Sequence, residues 1–532
     1  MQKINLAFLR IVKRSEQQDD EVLQNTFVDF GSILTVVTSI DHQVIYGRRG
    51  TGKTHLLTKV RQTRKLNGEA TVQIDMRNLG SSGGLYADPS IPLAERATRL
   101  LVDVVAEIHG QIHEQAVDGE LFKLADIGAL LSDLFAEHAT LKVVGETVIE
   151  AGASAESAGT AELKLGVSTS PIPSLTASAG ISSTAKDTVT VKKTIKGHEI
   201  LRVNFGRVGT ALRNLVAKLP KRRLWLLIDE WSEVPLDIQP YLADMLRRAV
   251  MPVQGMTVKI AAIEQRSQFL LANVQGDHVR HLGLELGSDI SSAINLDEFM
   301  VFENDETRAI QFFKALVFAH VKSALNAENI RPPKDEAELI SWGFTQGAAF
   351  DEVVRACEGV PRDAINILSH AAQRAGDDEI SIGIVRDAAQ QWYQGSKDSA
   401  VSAHSNAKAL LVWIIDKVIK ERQAKAFLLP TGTKNSLIDF LYDERVLHVL
   451  RKGISAKDSP GKRFNVYAID YGCYVDLINT ARGPRGLLDL GDAQSADFSW
   501  TVPKTDFRSI RRCVLDLEQF YKLVDSAAPG ED

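Results

Sequence analysis

The sequence predicts an α/β fold: a mostly parallel sheet covered on both faces, a helical unit behind it, and a small basic C-terminal unit. Three observations carry this prediction. Short apolar runs alternate with stretches of helical spacing through the first half of the chain. A glycine-rich loop, Gly47 to Thr54, sits between one such run and a helix. A later apolar run, Leu224 to Ile228, ends in two carboxylates, Asp229 and Glu230.

The elements follow in order. Met1 to Arg14 alternates apolar residues with Lys3, Arg10, Lys13 and Arg14, which reads as an amphipathic first helix packed on the core and lacks the apolar block of a signal peptide. Gln43 to Tyr46 is a strand, and Lys53 opens a helix with Leu56, Leu57 and Val60 on one side. Thr71 to Ile74 is a second strand, ending in Asp75, Met76 and Arg77; a Gly/Ser loop follows at Gly80 to Gly84. Residues 92 to 112 repeat Leu93, Ala97, Leu100, Leu101, Val104, Val105 and Ile108 at helical spacing. Residues 145 to 198 are dominated by Ala, Ser, Gly and Thr and read as an insertion, with Glu162 to Ser168 pairing Thr188 to Thr194 across Pro171 and Pro173. The sheet resumes at Leu224 to Ile228 and Thr257 to Ile263, and helices dominate from Thr307 to about Gln394.

A chain of 532 residues exceeds one ordinary core. The expected division is 1–300 for the sheet domain with its insertion, 301–400 for the helical unit and 401–532 for the C-terminal unit and tail. Hydrophobic content of 44% with 24% charged residues is that of a globular protein. No run approaches the roughly 18–20 apolar residues of a bilayer span, so no membrane partner is expected. Cys357, Cys473 and Cys513 are too far apart for metal spacing or a disulfide framework, which favours a reducing, cytoplasmic setting.

Gly47-Arg48-Arg49-Gly50-Thr51-Gly52-Lys53-Thr54 fits G-x-x-x-x-G-K-[ST] at every fixed position. Glycines let backbone N–H groups approach phosphate oxygens, and the following helix points its N-terminus at the anion. Lys53 supplies a charge between β- and γ-phosphates, and the Thr54 hydroxyl ligates Mg2+. The expected nucleotide-contacting set is therefore Gly47 to Thr54, extended to His55. Asp229 is the second magnesium residue, and Glu230 is placed to act as general base on a water. ATP with Mg2+ is the expected cofactor pair, and the absence of an Asn-Lys-x-Asp motif argues against a GTPase.

These residues, with Gly359-Val-Pro-Arg362-Asp-Ala-Ile-Asn-Ile-Leu368, resemble the AAA+ ATPases, most of all the bacterial members of the initiator clade of origin-recognition and cell-division-control-like proteins. The resemblance implies a P-loop NTPase core of AAA+ type, an α-helical lid and a C-terminal winged-helix-like domain. It implies that Arg362 contacts the γ-phosphate from the lid and that Phe27 to Ile45 packs near the adenine. The Val258 to Ile263 strand matches the first-sensor strand, where Gln265 would orient the water in place of the usual Asn, Ser or Thr. Arg266 and Arg280 are the residues that match an arginine finger acting across a subunit boundary.

The whole chain carries a net charge of -6, yet residues 405 to 485 hold fourteen Lys/Arg against eight Asp/Glu. Helix (Ala407 to Arg422), a loop with Pro430 and Gly432, helix (Asn435 to Asp443) and a hairpin (Val446 to Leu450, Phe464 to Ile469) form the expected compact unit. Lys434 on the helix and Arg451, Lys452, Lys462 and Arg463 on the hairpin tip suit contacts to DNA phosphates. The expected activity is an ATPase acting with DNA as a homo-oligomer. The alternative is an ATP-controlled switch that assembles with an effector protein, as such ATPases do in bacterial defence.

Overall fold

The computed structural model describes residues 3–14, 17–79, 86–119, 121–138, 140–152, 190–275, 278–297, 306–422, 424–455, 461–475 and 513–527. Twelve strands lie among the described residues: β1 (Gln43–Tyr46), β2 (Ala70–Asp75), β3 (Thr140–Gly152), β4 (Thr190–Arg202), β5 (Leu224–Asp229), β6 (Met256–Ala262), β7 (Leu270–Gln275), β8 (His278–Gly283), β9 (Ser292–Asn295), β10 (Ala426–Pro430), β11 (Leu447–Ser455) and β12 (Arg463–Ile469). Five of them form one parallel sheet in the order β2-β5-β6-β1-β9. β1, β5 and β6 are buried at every position, which is why they read as unbroken apolar runs rather than alternating ones. The strand order brings the carboxyl ends of β1 and β5 to the same edge, with β6 between them. Ligands of open α/β sheets bind at that edge.

Each face of the sheet has its own core. Val44, Val72, Leu226, Ile228, Val258 and Ile260 pack with the Leu93–Asp118, Leu124–His138 and Phe205–Val216 helices. The opposite face, including Ile45, Trp225, Leu227 and Ala261, packs with the Lys53–Leu66 helix, and that core runs on without a break into the helical and C-terminal units. Ala407, Leu411, Ile414, Phe427, Leu441 and Ile469 belong to it. The C-terminal unit is therefore not the separate body expected from the sequence; its inner face shares one hydrophobic core with the lid.

The first helix, Lys3–Arg10, buries Ile4, Ala7 and Phe8 as its amphipathic pattern predicts. Its partner is the lid. Asn5, fully buried, donates from Nδ2 to Gly376 O at 3.0 Å and Asp378 O at 2.9 Å, just past the Pro361–Ala375 helix. The long hairpin of the insertion exists, with a different partner: β4 pairs antiparallel with β3, Thr140 opposite Arg202 and Gly152 opposite Thr190. The Glu162 to Ser168 segment and the Gly80 to Gly84 loop lie outside the described residues. In the C-terminal unit the segment before Pro430 is the strand β10 rather than part of a loop, giving a sheet of order β10-β12-β11 behind the Ser405–Ile414 and Ser436–Asp443 helices. Asn435 caps the latter helix, its Oδ1 accepting from the N–H groups of Leu437 and Ile438. Among the described residues no helix is long and apolar enough to cross a membrane.

One buried histidine gives the fold a pH signature. His320, on the Glu306–Ala327 helix, is 8% exposed; burial, then the neighbouring His55, pushes its pKa down to about 4. The folded state resists the proton that the unfolded chain takes up at about pH 6.5, so stability present above pH 6.5 is lost as pH falls toward 4. This group alone should cost about 2–3 kcal/mol between pH 7 and pH 4.5. Urea midpoints at the two pH values, wild type against His320→Leu, should show the smaller drop in the variant; equal drops would remove His320 from the account.

Candidate nucleotide site

The site starts at the end of β1. After Tyr46 the chain turns through Gly47, where a Cβ would meet Thr51 Oγ1 at 2.5 Å, and through Gly50, at φ +87°. A Cβ on Gly50 would stand 2.7 Å from the Cβ of Arg362. The loop and the start of the lid helix touch at backbone distance there, with Arg362 N–H donating to Gly50 O at 3.2 Å. Gly52, also left-handed, precedes the Lys53–Leu66 helix.

Lys53 is 6% exposed and its Nζ donates to Gly47 O at 2.7 Å and Arg48 O at 3.0 Å. Burial lowers its pKa, against the pull of Glu230 and Asp229. Asp229, at the end of β5 and 1% exposed, hydrogen bonds Thr54. Burial lifts its pKa to about 6; the Thr54 bond opposes the rise, and the Glu230 charge adds to it. Glu230 follows in the left-handed region at φ 51°, ψ 39°, its N–H held by Asp229 Oδ1 at 2.9 Å. A non-glycine residue in that region is costly by roughly 1–3 kcal/mol and persists where the surroundings demand it. Here the turn aims Glu230 toward the loop while Asp229 stays beside Thr54. Arg77 makes a forked pair with Asp75 at the end of β2 and reaches within 3.8 Å of Glu230 Oε1.

Gly50, Gly52, Lys53, Thr54, Arg77, Glu230 and Arg362 line a cavity of about 250 Å³. Six cations face it (Lys13, Arg14, Arg49, Lys53, Arg77 and Arg362) against two acids, Glu230 and Glu233. Such a lining favours a polyanion. The wall away from the acids comes from Val12, Gln18 and Leu23, upstream of the Phe27 to Ile45 segment that the sequence suggested. Phe27 instead meets the His55 ring edge-on at 5.4 Å, while His55 Nε2 bonds Leu23 O at 2.6 Å. His55 thus ties the loop's helix to this wall. For Mg2+, the hard oxygen donors Thr54 Oγ1 and Asp229 fit.

Other predicted residues are placed elsewhere. Arg48 is 1% exposed and its side chain leaves the cavity: Nε pairs with Asp297 at 2.9 Å and Nη2 donates to Glu358 O at 3.1 Å. Gln265 does not line the cavity, and its Oε1 is buried without a hydrogen-bond partner among the described residues. Arg266 pairs with Asp443 of the C-terminal unit at 2.9 Å. Arg280 lies on β8. Lys434, Arg451, Lys452, Lys462 and Arg463 are all at the surface; Lys452 also pairs with Glu264, beside Gln265. Sequence reasoning missed Asp297, Lys397 and Asp470 altogether. Only Asp363 carried a signal, as the neighbour of Arg362.

The strand order, the glycine loop after the first strand of the parallel sheet and the acids after the third are those of a P-loop fold of AAA+ type, followed by a helical unit and a small C-terminal unit built on a three-stranded sheet. No family model matches the chain, and no curated protein is similar to it. Among solved structures it is similar to RuvB of Thermotoga maritima, a Holliday junction branch migration motor, at 11% identity and TM-score 0.30 over 88% of this chain and 98% of that one. It is also similar to ORC1 of Aeropyrum pernix, solved in complex with DNA, at 12% identity and TM-score 0.32 over 85% of this chain and 93% of that one.

Proposed function

We propose that this chain binds ATP with Mg2+ in the cavity beside Gly47 to Thr54 and hydrolyses it. What carries the reading is convergence: Lys53, Thr54, Glu230 and Arg362, from three separate stretches of chain, line one cation-rich cavity. Lys53 binds the β- and γ-phosphates, and Arg362 reaches the terminal one from the lid. Thr54 and Asp229 hold Mg2+, which neutralises charge on the phosphate oxygens when bound. Glu230 takes the proton of the attacking water.

The C-terminal unit is the partner-facing end in this reading. Lys434, Arg451, Lys462 and Arg463 meet phosphates of DNA, and assembly into a homo-oligomer would supply Arg266 or Arg280 to a neighbour. Assembly with an effector protein is the alternative use of the same switch.

Equilibrium binding of ATP to wild type and Lys53→Ala tests the core of this. The variant should bind at least about 100-fold more weakly, since it loses a charge-assisted contact in a buried site. A wild-type protein without ATP affinity would overturn the reading. The same proteins titrated with duplex DNA across a salt series decide between the two partners: a salt-steep, ATP-dependent affinity supports DNA, and none supports the effector.

A further inference from the structure

Arg48 occupies a variable position of the phosphate loop, yet it is among the most completely buried side chains of the chain. A guanidinium has five N–H donors and no acceptor. Here Nε goes to Asp297 Oδ1, Nη2 to Glu358 O, and Nη1 to His448 Nδ1. Its own N–H donates to Asp297 Oδ2 at 3.0 Å. Its carbonyl accepts from Lys53 Nζ at 3.0 Å and from Thr51 Oγ1 at 2.9 Å. One residue is thus held on its main chain by the phosphate-binding lysine and on its side chain by Asp297, by Glu358 of the helical unit and by His448 of the C-terminal unit.

The chain of contacts continues inward. Arg48 can only donate, so the facing His448 Nδ1 is an acceptor, and Nε2–H donates to Asp470 Oδ2 at 3.0 Å. His448 is fully buried. Asp470 also pairs with Lys397, which reaches Asp363 Oδ2 at 2.8 Å. Asp363 takes Arg445 on its other oxygen and adjoins Arg362. Arg48, Lys397 and Arg445 are thus paired with Asp297, Asp470 and Asp363. Tyr442 Oη adds a bond to Asp297 Oδ2 at 3.3 Å.

We propose that His448 and Asp470 are positioning residues of the nucleotide site, acting through Arg48, so that the phosphate loop holds its working shape only while the C-terminal unit is docked. This rests on the ATP-binding reading above. The orientation of the peptide after Arg48 sets where Lys53 Nζ points, and losing His448 leaves the buried Nη1 of that guanidinium without its acceptor, which favours a shifted arrangement. By linkage, nucleotide that favours the docked loop also favours the docked unit, by the same factor.

The test measures ATP Kd and thermal melting on the full chain for wild type, His448→Leu, His448→Gln, Asp470→Asn and Phe427→Leu. The glutamine keeps an acceptor and a donor; Phe427 is buried in the same unit, stacked on Tyr467, and is outside the hydrogen-bond chain from Arg48 to Asp363. His448→Leu and Asp470→Asn should weaken ATP binding on the order of tenfold. His448→Gln should recover most of the affinity, and Phe427→Leu should lower the melting point with no change in Kd. If His448→Leu does not fold, Asp470→Asn decides alone. A wild-type Kd in Asp470→Asn, or an equal loss in Phe427→Leu, overturns the coupling while ATP binding stands. A wild-type chain without ATP affinity overturns both.

Discussion

Replacing Glu230 with glutamine should leave ATP binding within a few-fold of wild type and slow turnover by roughly 10²- to 10⁴-fold, the usual contribution of a positioned general base. The two halves of this expectation come from different features. Binding rests on Lys53, Thr54 and Asp229, none of which the substitution touches. Turnover rests on a carboxylate that strand β5 cannot aim by regular geometry; the left-handed turn at Glu230 does so, with its N–H fixed by Asp229 Oδ1. Glutamine keeps the size and the turn but takes no proton. Single-turnover hydrolysis with bound ATP measured separately is the deciding pair. An unchanged rate would move the base elsewhere, and lost binding would mean that Glu230 holds the nucleotide rather than the water.

Asp363→Ala should destabilise the folded chain by about 3–5 kcal/mol, the cost of breaking a buried ion pair from one side. Asp363 has no exposed surface and faces Lys397 and Arg445 at once. Removing it takes the carboxylate from Arg445 and leaves Lys397 with Asp470 alone, so the core holds one positive charge too many. Arg445 is itself left-handed at φ 61° and packs against the Trp392 ring, so its movement is restricted. Lys397 is aimed inward by a π-helical segment, Tyr393–Asp398, where the extra residue per turn redirects a side chain. The denaturant midpoint for wild type, Asp363→Ala and the double variant Asp363→Ala/Lys397→Met reads this out. The second substitution should recover part of the loss, because it removes the excess positive charge left in the cluster. Midpoints that coincide for all three would show that water reaches the cluster.

The phosphate loop and the acidic strand end were legible because each is a short, continuous stretch whose chemistry and local structure coincide. Gly47 to Thr54 announces a turn into a helix, and Leu224 to Glu230 announces a buried strand meeting solvent. β10 was harder: Ala426 to Leu429 is a short apolar run, and Pro430 and Gly432 after it read as a loop. The hairpin partner was misread because β3 and the Glu162 to Ser168 stretch both alternate with period two, and pattern alone favours the shorter connection. The Arg48 cluster was illegible for a different reason. Its partners stand 249, 310 and 400 positions away, and an arginine in a basic loop looks like one more phosphate contact. Only the fold shows that it faces inward.

The clasp that Asn5 makes on the end of the lid has a mechanical consequence. The first helix travels with the lid, while Arg61 grips Asp20 on the far side of the cavity at 2.7 Å and anchors that end to the sheet domain. Between these fixed points lie Val12, Lys13, Arg14 and Gln18, a strap that lines the site. Any swing of the lid must be taken up as slack in that strap, so shortening it by a few residues would leash the two bodies together.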